Sequence, residues 1–178
     1  MINVDGSGLR RVARGWSPAW SPDGRMLVFS HGSTIEVLDV DGSNHRPLHD
    51  DGGYGSFDPA WSPDGRRIAF SMGTFVDFGL GLWVMNADGS DPRHIGPDDA
   101  GAPAWSPDGS EIAFVGELGA SIGVVNADGS GRRLRVAGQA RGVDWTPDGR
   151  LIFTLSPSSD WNAPGRRILS ATAASIGS

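Results

Sequence analysis

Short apolar runs recur along this chain, and each follows a polar turn that contains aspartate and glycine. Runs of this length, bounded by such turns, are typical of strands that are buried on both faces of a sheet. The pattern predicts these strands at 26–30, 68–71, 112–115 and 151–155.

The turn before each of these strands repeats one phrase almost without change. It reads Trp-Ser-Pro-Asp-Gly at 20–24, 61–65 and 105–109, and Trp-Thr-Pro-Asp-Gly at 145–149. Serine or threonine suits the first turn position, proline presets φ at the second, and glycine accepts the left-handed fourth position. The phrase therefore predicts a hairpin with a type I turn, and its spacing of 41, 44 and 40 residues predicts a repeat architecture.

A second turn phrase lies about 20 residues after each of the first three tryptophans, at 39–43, 86–90 and 126–130. Asn or Asp opens this turn and Gly-Ser closes it, so it also predicts a hairpin. The strands before it are predicted at 34–38, 82–85 and 121–125, and the strands after it at 46–49, 93–95 and 132–136. The later strands are more polar, which suits an outer edge because charge discourages pairing with other chains.

Four strands in a repeat of about 40 residues, joined as a meander, are typical of a β-propeller blade. The words Pro-Ala-Trp-Ser-Pro-Asp-Gly and Asn-Ala-Asp-Gly-Ser resemble the repeat of TolB-like β-propellers, which are related to WD-type blades. The resemblance covers nearly the whole chain. It implies an all-β propeller, most often with a protein-interaction or accessory role and with no universal catalytic residue. It also implies a periplasmic or secreted location, although residues 1–6 show no signal-peptide pattern.

The chain is predicted to be a single domain with blades at about 15–50, 54–97, 101–137 and 141–171. Residues 1–14 contain a spare turn phrase and outer strand, whereas blade 4 has no recognisable fourth strand. We therefore expect residues 9–14 to pair beside 166–170 and to close the ring. Six blades are usual in the family, so four blades indicate a small closed ring, an open arc, half of a dimeric ring, or a piece of a longer array. An incomplete ring predicts a homodimer.

Composition narrows the classes of function. The 178 residues carry a net charge of −6, which argues against a nucleic-acid partner because phosphate binding needs a basic face. No cysteine is present, so disulfides, thiolate zinc sites and a cysteine nucleophile are excluded. No stretch approaches the roughly 20 apolar residues of a membrane span, so no membrane insertion is predicted.

No catalytic constellation is recognisable, and the chain is predicted not to be an enzyme. Its four histidines lack the spacing of a metal pair, and no Gly-x-Ser-x-Gly elbow is present. Some TolB-like relatives are lyases that use histidines and a metal, but this sequence shows no such cluster. We predict no cofactor and no metal. The alternative function is an accessory or gating propeller, detached from a peptidase or another hydrolase.

The repeated aromatic and acidic residues have a structural interpretation. A large residue at the same place in every blade is what blade packing requires, so we assign Trp20, Trp61, Trp105 and Trp145 to the core. Asp58 and Asp144 lie near the start of a first strand and are the best carboxylates for an axial cation. A hard ion needs about six to eight oxygens, and the other blades supply no matching carboxylate.

Candidate binding residues lie off the repeat, on the face opposite to the two glycine hairpins. This long-loop face comprises the connections between blades and the loops between second and third strands, with insertions at 73–81 and 157–165. Aromatic anchors within an acidic rim suit a basic peptide or an extended segment of a partner protein. The candidates are Tyr54, Phe75, Asp77, Phe78, Asp98, Asp99, Asp160 and Trp161. In the alternative interpretation, the aromatics pack onto the blade edges and the acids are solvated.

Overall fold

The computed structural model describes residues 1–73, 81–116, 121–137, 139–156 and 167–172. These residues form fifteen antiparallel strands in four separate sheets. Within these ranges no helix is long and apolar enough to cross a membrane.

Each sheet is one blade, in which the strands are adjacent in chain order. Blade 1 contains β1 (Trp16–Trp20), β2 (Met26–His31), β3 (Thr34–Asp39) and β4 (Arg46–Asp50). Blade 2 contains β5 (Gly55–Trp61), β6 (Arg67–Gly73), β7 (Leu82–Asn86) and β8 (Arg93–His94). Blade 3 contains β9 (Gly101–Trp105), β10 (Glu111–Gly116), β11 (Ser121–Asn126) and β12 (Arg133–Ala137). Blade 4 contains β13 (Gln139–Trp145), β14 (Arg150–Ser156) and β15 (Arg167–Thr172). The all-β propeller of about four blades is confirmed.

The predicted hairpins are present, and the repeated residues hold them together. In blade 2 the Gly65 amide donates to the carbonyl of Ser62 (2.9 Å), and Gly65 has a φ of 70°. The Ser62 hydroxyl donates to Asp64 (2.6 Å) and accepts from the amide of Arg67 (2.9 Å). Ser62 is fully buried, so its hydroxyl supplies the acceptor that a partly buried N–H requires. The equivalent serines of blades 1 and 3 make the same contacts.

The hydrophobic core lies between blades, because each sheet is apolar on both faces. Phe70 of β6 packs with Val28 and Val37 of blade 1. Ala69, the preceding residue, packs with Phe114 of blade 3. Successive residues of one strand thus contribute to two different junctions, as the period of two in a β-strand requires.

Two of the four repeated tryptophans are hydrogen-bonded to the preceding blade. Trp105 Nε1 donates to the carbonyl of Ala60 (3.1 Å), and Trp145 Nε1 donates to the carbonyl of Ala104 (3.0 Å). Trp61 and Trp105 are buried, with exposures of 8% and 7%. The assignment of these side chains to the core is confirmed for the two middle blades.

The four blades form an open arc in the part of the chain that the structure describes. Strand packing joins blade 1 to blade 2, blade 2 to blade 3 and blade 3 to blade 4, and no comparable packing joins blade 4 to blade 1. Trp20 therefore has no preceding blade against which to pack, and it is 49% exposed. The assignment of Trp20 to the core is wrong, because its burial depends on a neighbouring blade.

The N-terminal segment does not complete blade 4, so the prediction that 9–14 pairs beside 166–170 is wrong. Residues 1–14 contain no strand, and the described part of blade 4 has three strands. Val12 and Ala13 pack instead on the face of blade 1 that lacks a neighbour, against Leu27, Phe29 and Leu38. Burial of these apolar side chains favours that position over an edge strand, because it removes them from water.

Candidate functional site

The insertion of blade 2 leaves its sheet beside an exposed aromatic side chain. Gly73, at the end of β6, pairs with Gly55 at the start of β5. Tyr54 precedes Gly55 and therefore lies beside the point at which residues 74–80 depart. Tyr54 is 49% exposed. An exposed tyrosine combines apolar area with a hydroxyl, a combination that is enriched at binding surfaces.

The other end of the same insertion packs against the connection between blades 2 and 3. A Cβ atom at Gly81 would lie 2.6 Å from the carbonyl oxygen of Pro97 and 3.0 Å from the Cα atom of Asp98. Gly81 also has a φ of 81°, and its carbonyl accepts a hydrogen bond from the Met72 amide (2.9 Å). Only glycine permits this approach. The insertion therefore ends next to Asp98.

Asp98 is the most open carboxylate of this connection. Its side chain is 82% exposed and lies 3.4 Å from His94 Nε2, whereas the neighbouring Asp99 is half-buried. His94 in turn contacts Trp83, with 5.4 Å between the ring centroids. A contact this exposed contributes little to stability, so a ligand can replace His94 as the partner of Asp98 at small cost.

A second acidic pair lies in the connection between blades 1 and 2. Asp51 accepts a hydrogen bond from the Ser56 hydroxyl (2.9 Å), and Asp50 accepts one from the Gly52 amide (3.0 Å). Burial lowers the pKa of His49, although the charges of Asp51 and Asp50 oppose this shift. His49 therefore adds no compensating charge at neutral pH, and this end of the long-loop face is acidic.

Five of the predicted binding residues lie outside the described residues. They are Phe75, Asp77 and Phe78, which fall within 74–80, and Asp160 and Trp161, which fall within 157–166. Of the other three, Tyr54 lies where the first insertion begins, and Asp98 and Asp99 lie near the place where it ends.

The inner strands carry a backbone feature that periodicity does not predict. Ser17, Asp58 and Ala102 occupy equivalent positions, and each has a φ of 49°. Each precedes a proline, although a residue before proline normally adopts an extended conformation. Each also lies where the register shifts between the first two strands of its blade. Ser17 Oγ donates to Asp58 Oδ1 across blades 1 and 2 (2.6 Å). The repeated proline is the sequence signal that marks this place.

A cavity of about 400 Å³ lies between the inner strands. Its lining includes Trp20, Trp61, Trp105 and Asp144. The Asp144 carboxylate accepts a hydrogen bond from the Trp145 amide (2.8 Å), and Asp58 is held by Ser17. Among the residues that the structure describes, no three His, Asp or Glu side chains are placed to hold one metal ion together.

Blade 1 also contains a mostly buried carboxylate whose contacts no sequence pattern predicts. The Glu36 side chain is 13% exposed and lies 3.1 Å from His31 Nδ1 and 2.6 Å from His45 Nε2. Burial raises the pKa of Glu36, but hydrogen bonds with His45 and His31 outweigh burial, so the net pKa is lowered. The two histidines come from the β2 end and from the residue before β4, so no fixed spacing reveals them.

No family model matches the chain, and no curated protein sequence matches it. Solved structures do match. A TolB structure from Agrobacterium tumefaciens has a TM-score of 0.76 at 22% identity, covering 96% of this chain and 64% of that one. TolB from Acinetobacter baumannii has a TM-score of 0.76 at 16% identity, covering 96% of this chain and 45% of that one.

An oligogalacturonate lyase in complex with manganese also matches, with a TM-score of 0.70 at 18% identity, covering 93% of this chain and 53% of that one. The chain thus spans less than two thirds of the length of each of these three proteins. At these identities the likeness concerns the fold, and it confirms the resemblance to TolB-like β-propellers at that level.

Proposed function

We propose that this TolB-like β-propeller is a noncatalytic interaction module, which binds a protein or a peptide on its long-loop face. The observation that supports this most is the arrangement around the blade 2 insertion. Tyr54 lies beside Gly73, where the insertion begins, and Asp98 lies against Gly81, where it ends.

The chemistry of these residues favours a basic, extended partner. Tyr54 offers an exposed ring, and the acidic connections add Asp50 and Asp98 on either side of blade 2. Opposite charge across an interface steers association and fixes orientation, whereas the aromatic ring contributes the buried area. In this proposal Phe75, Asp77 and Phe78 extend the same surface.

The insertion of blade 4 contributes a second anchor in the proposed surface, through Asp160 and Trp161. Asp99 supports the rim beside Asp98. Arginine is the expected contact residue of the partner, because its guanidinium pairs with carboxylates and stacks on aromatic rings.

Selection from a library of random peptides displayed on phage tests this proposal with the full chain as bait. We expect enrichment of peptides rich in arginine and aromatic residues. Synthetic versions of the selected peptides should bind with an affinity that falls about tenfold or more for Tyr54→Ala and for the double variant Asp98→Asn/Asp99→Asn. Asp91→Asn is the matched control, because Asp91 is an exposed acid on the glycine-hairpin face.

Two results would refute the binding surface. One is a selection that yields no peptides whose affinity depends on Asp98 and Asp99. The other is a loss of affinity for Asp91→Asn that equals the loss for the double variant. Replacing Phe75, Phe78 and Trp161 with alanine distinguishes an effect on peptide binding from an effect on folding. The proposal requires a loss of peptide binding without a drop in thermal stability, and an equal loss of both supports the structural interpretation of these aromatics.

An enzymatic role is the alternative raised by the likeness to a lyase that was solved with manganese. Calorimetric titration with Mn²⁺ distinguishes the two. We expect no saturable heat, and tight stoichiometric binding would favour the alternative.

A further inference from the structure

At two of the three junctions between the described blades, the inner-strand tryptophan donates through its indole N–H. At the junction of blades 1 and 2, the equivalent Trp61 is buried, but its Nε1 has no hydrogen-bond partner. In blades 3 and 4, Trp105 and Trp145 donate to an alanine carbonyl of the preceding blade, at 3.1 Å and 3.0 Å. Trp20 occupies the same place in β1, directly before the first hairpin. In the described arc no blade precedes it, and it is 49% exposed.

The opposite end of the arc carries the matching group. At the junction of blades 2 and 3, the guanidinium of Arg67 lies 4.7 Å from the ring centroid of Trp105, and its Nη2 donates to the Gly109 carbonyl (3.2 Å). Arg150 begins β14 as Arg67 begins β6, and each precedes the residue that pairs with the inner-strand tryptophan. Arg150 is 47% exposed and is paired with Asp148 of its own turn (2.9 Å).

The apolar side chains on the uncovered faces of blades 4 and 1 also correspond to those that pack at the junctions between the described blades. Ala69 and Ala113 face the following blade and are completely buried. Ile152 has the equivalent position in blade 4 and remains half-buried. On blade 1 the face without a neighbouring blade, here called the open face, consists of Trp20, Leu27, Phe29 and Leu38. Trp20 is 49% exposed, whereas the other three are buried beneath Val12 and Ala13 and border a cavity of about 130 Å³. Glu36, on the same strand as Leu38, already has His31 and His45 as partners, so a covering blade leaves no unpaired carboxylate.

We infer that the open face of blade 1 binds blade 4 of a second copy of this chain. Trp20 Nε1 donates to the backbone carbonyl of Asp144 in the second copy, and the guanidinium of Arg150 stacks on the Trp20 ring. Continuity with the junctions between the described blades supports this occupant, because the uncovered faces of blades 1 and 4 carry the two halves of the same contact. The junction is heterologous, so repetition closes a ring or extends a chain of copies.

The N-terminal segment competes for the same face. Val12 and Ala13 rest on Leu27, Phe29 and Leu38, where a neighbouring blade would pack. Arg10 fixes the segment by donating to the carbonyls of Val40 (2.6 Å) and Asp41 (3.1 Å). Docking of a second copy therefore displaces this segment, and weakening its attachment favours assembly.

Sedimentation velocity over a range of concentrations tests the inference on the full chain. The wild type should shift from monomer to a larger species as concentration rises. The midpoint concentration should increase about 30-fold for Trp20→Ala and about threefold for Arg150→Met, which correspond to the loss of an interface hot spot and of a cation–π contact. Arg10→Ala should lower the midpoint.

Matched controls separate assembly from folding. Leu134→Ala removes a large apolar side chain that is 58% exposed on β12, and Arg66→Met removes an exposed arginine outside the junction; neither should move the midpoint. Trp20→Phe keeps a ring but loses the N–H, so it should raise the midpoint less than Trp20→Ala. A wild type and an Arg10→Ala variant that stay monomeric at every concentration overturn the inference. So does an assembly that Trp20→Ala and Arg150→Met leave unchanged.

Discussion

The middle and the ends of this arc are built from the same phrases, yet the same residues have different surroundings there. Trp105, in the middle, is 7% exposed and donates to blade 2, whereas Trp20, at one end, is 49% exposed. Ala69 is completely buried, and Ile152, its counterpart at the other end, is only half-buried. The repeat therefore specifies a blade, and the neighbours of that blade determine which of its residues become core.

The largest expected difference concerns the tryptophans. Trp105→Ala should lower the free energy of unfolding by about 3 to 5 kcal/mol, because it leaves a cavity and removes a buried hydrogen bond. Trp20→Ala should cost about 1 kcal/mol or less, because this side chain is already half in water. Urea denaturation of both variants at concentrations that keep the protein monomeric measures the difference. Equal losses would contradict the contrast between middle and end.

The hydroxyl of the first hairpin gives the next largest difference. Ser62→Ala should cost about 1 to 3 kcal/mol, because it leaves the Arg67 amide without its acceptor in a buried turn. Thr146 makes the equivalent contact with the Arg150 amide (2.9 Å) but is more exposed, so water can replace it after Thr146→Ala. We expect a loss of under about 0.5 kcal/mol there. Thermal unfolding of the two variants, with Ser62→Thr as a control that keeps the hydroxyl, checks this.

A smaller difference in stability is expected for the arginines of blades 2 and 4. Arg67→Met should destabilise the monomer by about 0.5 to 1 kcal/mol, because it removes the cation–π contact with Trp105. Arg150→Met should leave monomer stability unchanged, because no blade follows blade 4 in the described arc and the ion pair of Arg150 with Asp148 is exposed. Denaturant midpoints for the pair provide the measurement, and a larger effect of Arg150→Met would refute the ranking.

The smallest expected effect is on the stability of the fold at acid pH. Hydrogen bonds from the Ser110 amide and then from the Ser106 hydroxyl lower the pKa of Asp108 from 3.8 to about 2. Because the folded state binds this proton less readily, the resulting stability is complete above pH 3.8 and is lost as the pH falls towards about 2.

Asp108→Asn should therefore flatten the slope of stability against pH in that window. The pKa of Asp148, in the end blade, is also lowered, chiefly by the Thr146 hydroxyl. Asp148→Asn should flatten the slope less, because this carboxylate receives fewer hydrogen bonds from its turn. Acid titrations of stability by circular dichroism compare the two variants. A steeper slope in either one would contradict the sign.

Features that depend on a few neighbouring residues could be predicted from the sequence, whereas features that depend on another blade could not. The hairpins at Ser62 and its counterparts could be predicted, because turn residues act within a few positions of the chain. The exposure of Trp20 and the packing of Val12 on blade 1 could not, because both depend on whether another blade covers that face. The left-handed conformation of Ser17 was hidden for a related reason, since a register shift involves two strands and not one.

In the candidate site, too, some features could be predicted from the sequence and others required the fold. Sequence irregularity predicts the long-loop face and Tyr54 as candidates for binding, because insertions interrupt the repeat on that face. The approach of Asp98 to Gly81 required the fold, since a loop's contact with a neighbouring connection has no signature in its own sequence. The pairing of Glu36 with two histidines is likewise a consequence of strand register.

Hydroxyl-radical footprinting of the repeated tryptophans tests the open arc most directly, because peptide mass spectrometry reads the oxidation of each indole separately. In dilute protein an open arc predicts that Trp20 is oxidised much faster than Trp61 and Trp105, because their exposures are 49%, 8% and 7%. Equal protection of all three would mean that a blade already covers Trp20, which would contradict an open arc.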